Sequence, residues 1–160
     1  MISSAIQQLL YKVDWAPLDV LLVDLPPGTG DAQLSLIQNA PLSGAVIVST
    51  PQPLALADVR RAVAMFRLVK TPIFGIVENM SGFQCPKCGE TSEIFAVDGA
   101  AKAAKEFDIP FLSKINLSEK LRQCCDDGIP ICIAEPDHES SKCFENVAKS
   151  ILNELEKEQL

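Results

Sequence analysis

The sequence predicts an α/β fold built on a partial, doubly wound, mostly parallel sheet. Three observations carry that expectation. Val20-Leu21-Leu22-Val23, Ala45-Val46-Ile47-Val48 and Ile73-Phe74-Gly75-Ile76-Val77 are apolar without alternation, the pattern of strands covered on both faces. Between them lie stretches with apolar residues three and four apart, so strand and helix alternate as in right-handed βαβ units. Each apolar run also stops at a polar or Pro/Gly-rich turn, which in open α/β sheets is where ligands bind.

Ile6, Leu9, Leu10 and Val13 form one stripe, which predicts a helix over 3–13, broken by Asp14-Trp15-Ala16-Pro17. Trp15 is expected to pack beside that helix. A strand is expected from Asp19 to Asp24, then a Pro/Gly turn, then a helix to Asn39 capped by Asp31. Pro41 ends it, and strand 45–48 leads through Ser49-Thr50-Pro51-Gln52-Pro53 into a helix over 54–69. Thr71-Pro72 stops that helix before strand 73–77, which ends at Glu78-Asn79. Residues 80–95 leave the rhythm as an irregular excursion. A helix is expected at 98–107, a short strand near 110–112, a helix at 118–126, an extended piece at 129–133 and a last helix over 139–157. The 160 residues are expected to form a single, incomplete domain.

Composition excludes several classes. The chain is 48% hydrophobic and 22% charged, enough apolar matter for a core and too much for a disordered chain. A net charge of −7 argues against nucleic acid as a partner. No apolar run approaches the roughly 18–20 residues that span a bilayer. Nothing at the start reads as a signal or transit peptide. Six cysteines without a secretory signal point to a reducing compartment, with Cys85 and Cys88 as metal or redox chemistry. Cys124, Cys125, Cys132 and Cys143 are expected to be small buried hydrophobes, and His138 to lie on the surface.

Asp24 ends an apolar run, where a carboxylate can hold a water of a phosphate-bound Mg²⁺. Gly28 and Gly30 let the next turn approach a phosphate and offer it N–H donors. The same residues also suit a strand end and a tight turn, and both readings stay open. Asn79, Thr50 and Gln52 end strands where an amide or hydroxyl can meet a base edge, but such residues commonly do no more than terminate strands. Cys85-Pro86-Lys87-Cys88-Gly89 is more specific. Two thiols three apart in a loop closed by Gly can chelate one metal or two corners of a cluster, and Lys87 favours thiolate. Four ligands are needed, so the others come from Cys124 and Cys125 or from another subunit.

Taken together, Asp24-Leu-Pro-Pro-Gly-Thr-Gly-Asp31, Val48-Ser-Thr-Pro-Gln52, Glu78-Asn-Met80 and Phe83-Gln-Cys-Pro-Lys-Cys-Gly89 resemble one known family. It is the Mrp family of deviant-Walker P-loop ATPases, iron–sulfur cluster carriers related to MinD. The resemblance spans about residues 3–150 and is nearest to the mitochondrial nucleotide-binding-protein-like branch, which serves respiratory complex I assembly. It implies a MinD-like P-loop NTPase fold. It implies that Asp24 is the catalytic Walker B carboxylate, that Gly28, Gly30 and Asp31 belong to the nucleotide-facing switch II, and that Asn79 contacts the adenine. Cys85 and Cys88 would hold half of a 4Fe–4S cluster bridging two subunits of a homodimer, which supplies the missing thiolates. ATP and Mg²⁺ would serve the full-length form, with apo iron–sulfur proteins and membrane-associated complex I intermediates as partners. The implied location is the mitochondrial matrix, with the cytoplasm as alternative.

The family's Gly-rich loop, GKGGVGK(S/T), has no counterpart: the sequence contains no Gly-Lys dipeptide and no GxxxxGK(S/T). The sequence therefore reads as the C-terminal portion of such a protein, lacking the N-terminal strands. In the resembling fold the P-loop strand lies between the strand ending at Asp24 and the strand ending at Ser49. Each buried backbone group left unpaired by its absence costs about 1–3 kcal/mol, against a domain stability of about 5–15 kcal/mol. A sheet with an exposed apolar face and edge, or poor stability, is expected, with no ATP binding by this chain alone. The competing reading is a metal-binding or dimerisation module without ATPase activity, or an incomplete gene product.

Overall fold

The computed structural model describes residues 2–25 and 30–158. Its elements are α1 (Ile2–Tyr11), α2 (Asp31–Asn39), β1 (Ala45–Ser49), α3 (Pro53–Leu68), β2 (Ile73–Gln84), β3 (Thr91–Ser92), α4 (Gly99–Phe107), β4 (Phe111–Leu117), α5 (Glu119–Asp126), α6 (Ile131–Ala134) and α7 (Glu139–Glu158). Strand β2 is the axis of the sheet. It pairs in parallel with β1 from Ala45↔Ile73 to Ser49↔Glu78, and with β4 from Ile76↔Phe111 to Phe83↔Leu117. Its far end pairs antiparallel with β3 through Phe83↔Ser92 and Gln84↔Thr91.

Local chemistry sets the boundaries. Pro53 begins α3, where its fixed φ suits a helix start and its missing N–H is not needed. The helix ends with Lys70 in the left-handed region (φ 59), the Lys70 N–H bonding Arg67 O and the Thr71 N–H bonding Phe66 O. That pairing satisfies two carbonyls of the last turn and aims the chain into β2. The same arrangement closes α4 at Asp108 and α5 at Gly128, so two of the three left-handed residues carry side chains.

The core lies between the sheet and helices α3 and α4. Val59, Val63 and Phe66 of α3 and Ala100, Ala103 and Ala104 of α4 bury against Ile47 and Ile76. Gly99 makes this close packing possible: a Cβ there would stand 2.2 Å from the Pro51 carbonyl oxygen. Helix α7 lies along β4 and reaches β2. The cover is uneven, since Val77 is 3% exposed and Val48 of the outer strand 62%.

The structure corrects several expectations. Residues 19–24 form no strand; Leu21 to Asp24 share a cleft with Ile6, Leu9 and Leu10 of α1, and Leu22 is 80% exposed. Among the described residues the apolar run has no ladder partner, and β1 pairs only with β2. Leu22 and Val48 both stand largely exposed, and among the described residues β1 has a ladder partner on one side alone. The excursion at 80–95 is more regular than predicted, because β2 continues through Gln84 and β3 answers it. Gly30, not Asp31, is the N-cap of α2. Residues 131–134 are one helical turn instead of an extended piece. Among the cysteines Cys124 is buried, but Cys125 is exposed and Cys132 and Cys143 are half-buried. Trp15 does pack beside α1, its indole N–H donating to Leu9 O at 3.0 Å.

Candidate metal centre and nucleotide-facing strand ends

Cys85 directly follows β2, and Pro86–Cys88 turn the chain so that β3 can pair back. The Cys85 N–H donates to Glu90 O (2.9 Å) and the Gly89 N–H to Cys85 O (2.8 Å). Gly89 has φ +74, a conformation that a side chain would strain, so the closing glycine is required by the turn itself. Hydrogen bonds from the backbone N–H of Cys88, then of Lys87, then from the Cys88 thiol hold the Cys85 pKa below its ordinary 9.0. Bonds of this kind favour the charged form, which is the metal ligand. Cys85 is half-buried and Cys88 exposed, so the thiols sit at the tip of an arm open to solvent.

Two soft donors fit iron or zinc but do not complete a site. Among the described residues no group of three or more His, Cys, Asp or Glu side chains is placed to hold a metal ion. Cys124 and Cys125 therefore do not complete the set within one chain. A cleft of about 390 Å³ adjoins the arm, lined by Phe83, Gln84, Pro86, Ser118 and His138 among others. His138 is no bare surface residue: its Nδ1 accepts from the Ser140 N–H at 3.1 Å, and Nε2 lies 3.5 Å from Ser118 Oγ.

The nucleotide-facing candidates are scattered. Asp24 is exposed and lines an apolar cleft of about 410 Å³ with Trp15, Leu21 and Leu22, and Asn79 is not among its walls. Gly28 lies outside the described residues. Of Asp31 only its place at the start of α2 is described, with Gly30 exposed before it. Asn79 is half-buried, and its Oδ1 accepts from the Met80 N–H at 2.9 Å. Gln52 serves α3 through its backbone, its carbonyl accepting from Leu56 N–H, and Thr50 O accepts from Ser49 Oγ. Sequence reasoning missed Glu78, a fully buried carboxylate that accepts from Ser81 Oγ and from the Ala100 N–H. Its one signal was a charge set directly after an apolar strand, which reads equally well as a strand end.

The mostly parallel α/β layer, with a central strand that runs on into a dithiol hairpin, has the fold of the MinD-like P-loop NTPase class. Within that class, residues 1–152 match the ParA family described as NUBPL iron-transfer P-loop NTPase, and the chain belongs to it. It is 49% identical over 156 residues to the iron–sulfur cluster transfer protein NUBPL of Dictyostelium discoideum, covering 98% of this chain and 48% of that one. To the Arabidopsis thaliana iron–sulfur protein required for NADH dehydrogenase, mitochondrial, it is 46% identical over 155 residues, covering 97% and 50%. Among solved structures, the Archaeoglobus fulgidus nucleotide-binding protein in complex with ADP superposes with a TM-score of 0.75 at 42% identity, covering 87% and 56%. Pyrococcus furiosus MinD shares the fold, at TM-score 0.68 and 21% identity over 95% of this chain and 57% of that one. The chain spans about half the length of the curated relatives it matches.

Proposed function

We propose that this chain carries the cluster-holding part of an iron–sulfur cluster carrier. The observation that supports it most is the arm: two thiols on one hairpin, one held toward thiolate by N–H donors, with no further ligand beside them among the described residues. Cys85 and Cys88 supply two corners of a 4Fe–4S cargo, and a second copy supplies the other two across a two-fold axis. The cargo goes to apo iron–sulfur proteins, including those of complex I, in the mitochondrial matrix. The relatives' names support that direction. ATP and Mg²⁺ belong to the full-length form, where Asp24 orients a Mg²⁺-bound water, Gly28, Gly30 and Asp31 face the phosphates, and Asn79 meets the base.

Anaerobic reconstitution with ferrous iron and sulfide tests the reading. The expected product is a brown dimer with broad visible thiolate-to-iron absorbance, one cluster per two chains, and Cys88→Ala abolishes both colour and dimer. A chain that stays colourless under these conditions sinks the proposal. Two thiols suit Zn²⁺ as well as iron, which favours a second reading, a metal-binding dimerisation module without ATPase activity. Zn²⁺-dependent dimerisation through the same cysteines, with no iron uptake, would select it.

A further inference from the structure

Between Asn79 and Phe83, β2 advances four residues while its partner β4 advances two, from Ile115 to Leu117. The two extra residues make a bulge at the base of the arm that carries Cys85 and Cys88. A bulge bends its strand and re-aims the residues beyond it. Met80 takes φ 55 there, a left-handed conformation that a side chain makes costly, so something must hold it. Two neighbours do. The Asn79 side chain accepts from the Met80 N–H, and the Glu78 carboxylate accepts from Ser81 Oγ at 2.5 Å and from the Ala100 N–H at 2.7 Å.

Glu78 is 0% exposed, and burying an ionisable group is expensive unless its partners are fixed. Its partners belong to three different parts of the fold. Ala100 lies in the first turn of α4, where the unpaired N–H groups and the helix dipole favour an acceptor. Ser81 lies in the bulge. Lys114 stands opposite Glu78 on β4, and the Glu78 charge helps to hold the Lys114 pKa up, after the larger influence of Asp98. The carboxylate thus ties the bulge to a helix buried in the core. A plain strand end needs none of this.

We propose that Glu78 is the positioning residue of the dithiol arm, acting through Ser81 and the Met80 kink to fix where Cys85 and Cys88 stand relative to the sheet. The inference rests on the reading of those cysteines as metal ligands. The lever explains why a joint needs a lock. The four residue steps from Ser81 to Cys85 span about 13 Å. A swing of about 20°, no more than the ordinary twist between neighbouring strands, moves the end of that lever by about 4.5 Å. Metal–sulfur bonds near 2.3 Å tolerate only a few tenths of an ångström. Two copies that must close on one cluster need both arms aimed before they meet.

The test is anaerobic Co²⁺ titration of the whole chain, read by thiolate-to-cobalt absorbance, together with amide exchange at Met80 and across Cys85–Gly89. Glu78→Gln keeps the side chain's size but replaces one acceptor oxygen with a donor. It should weaken Co²⁺ binding about tenfold, the usual scale for groups behind metal ligands, and speed exchange at both places. Ser81→Ala should shift both in the same direction by less, and it keeps the test decisive if Glu78→Gln fails to fold. Val63→Ala, a core truncation in α3 away from the arm, should lower stability yet leave both readouts at wild type. If Val63→Ala loses as much Co²⁺ affinity, or if Ser81→Ala and a folded Glu78→Gln bind as wild type does, the positioning role falls while the ligand reading stands. A wild-type chain that takes up no Co²⁺ removes the ligand reading and this inference with it.

Discussion

Two four-residue apolar runs, Val20-Leu21-Leu22-Val23 and Ala45-Val46-Ile47-Val48, are nearly interchangeable as sequences, and the fold treats them oppositely. The second is strand β1, hydrogen-bonded to β2 along its whole length, with Ile47 buried under α3. The first has no strand partner among the described residues and leaves Leu21, Leu22 and Val23 39%, 80% and 41% exposed. Apolar character alone does not make a strand. A ladder partner is needed to satisfy the backbone N–H and C=O groups that burial would otherwise strand. The difference is one of neighbours, and it can be broken or sharpened experimentally.

The largest expected contrast is in truncation. Ile76→Ala, at the fully buried centre of β2, should lower unfolding free energy by about 2–5 kcal/mol in urea titrations. Leu22→Ala should change it by less than about 0.5 kcal/mol. Equal losses at the two sites would show that residues 19–24 are packed after all. Next comes Gly99→Ala, whose new methyl must displace the Pro51 backbone; a loss of about 1–3 kcal/mol is expected from the same titration. Amide exchange should track the ladders, with Ile76 and Val77 slow and residues 20–23 fast, and protection at 20–23 would contradict the described pairing.

The smallest effect concerns Asp98 and Lys114, which join the start of α4 to β4 by an ion pair. The Asp98 hydrogen bond raises the Lys114 pKa, so that contribution is complete below the ordinary 10.5 and fades as pH climbs through the folded value above it. The Lys114 hydrogen bond lowers the Asp98 pKa, so that contribution is complete above the ordinary 3.8 and fades as pH falls through the folded value below it. Lys114→Met should therefore flatten the stability profile at both extremes. Both side chains are about 40% exposed, so the change at neutral pH should be slight.

Much of the fold was legible from the residues. Strands β1 and β2, helices α3, α4 and α7, and the dithiol turn are dictated by periodicity, by Pro and Gly placement and by the CxxC spacing. The failures have non-local causes. Residues 19–24 carry a strand's pattern, but pairing is a property of two segments. Glu78 carries a carboxylate that looks surface-bound until α4 folds over it. The candidate nucleotide residues divide in the same way: Asn79 is fixed by its own strand, whereas Asp24 stands at the end of a segment with no ladder partner among the described residues.

Among the described residues β1 has no ladder partner on the side away from β2, which bears on how the chain will behave when heated. Ala45–Ser49 carries no charge and no proline, and its outer face presents Val48 to solvent. Such an edge is a template for another strand, including the same strand of a neighbouring molecule. Unfolding would then compete with association, and the apparent melting temperature would depend on concentration and scan rate instead of reporting an equilibrium. Durability of this chain in solution would be a matter of rates, set by how often β1 meets its own kind.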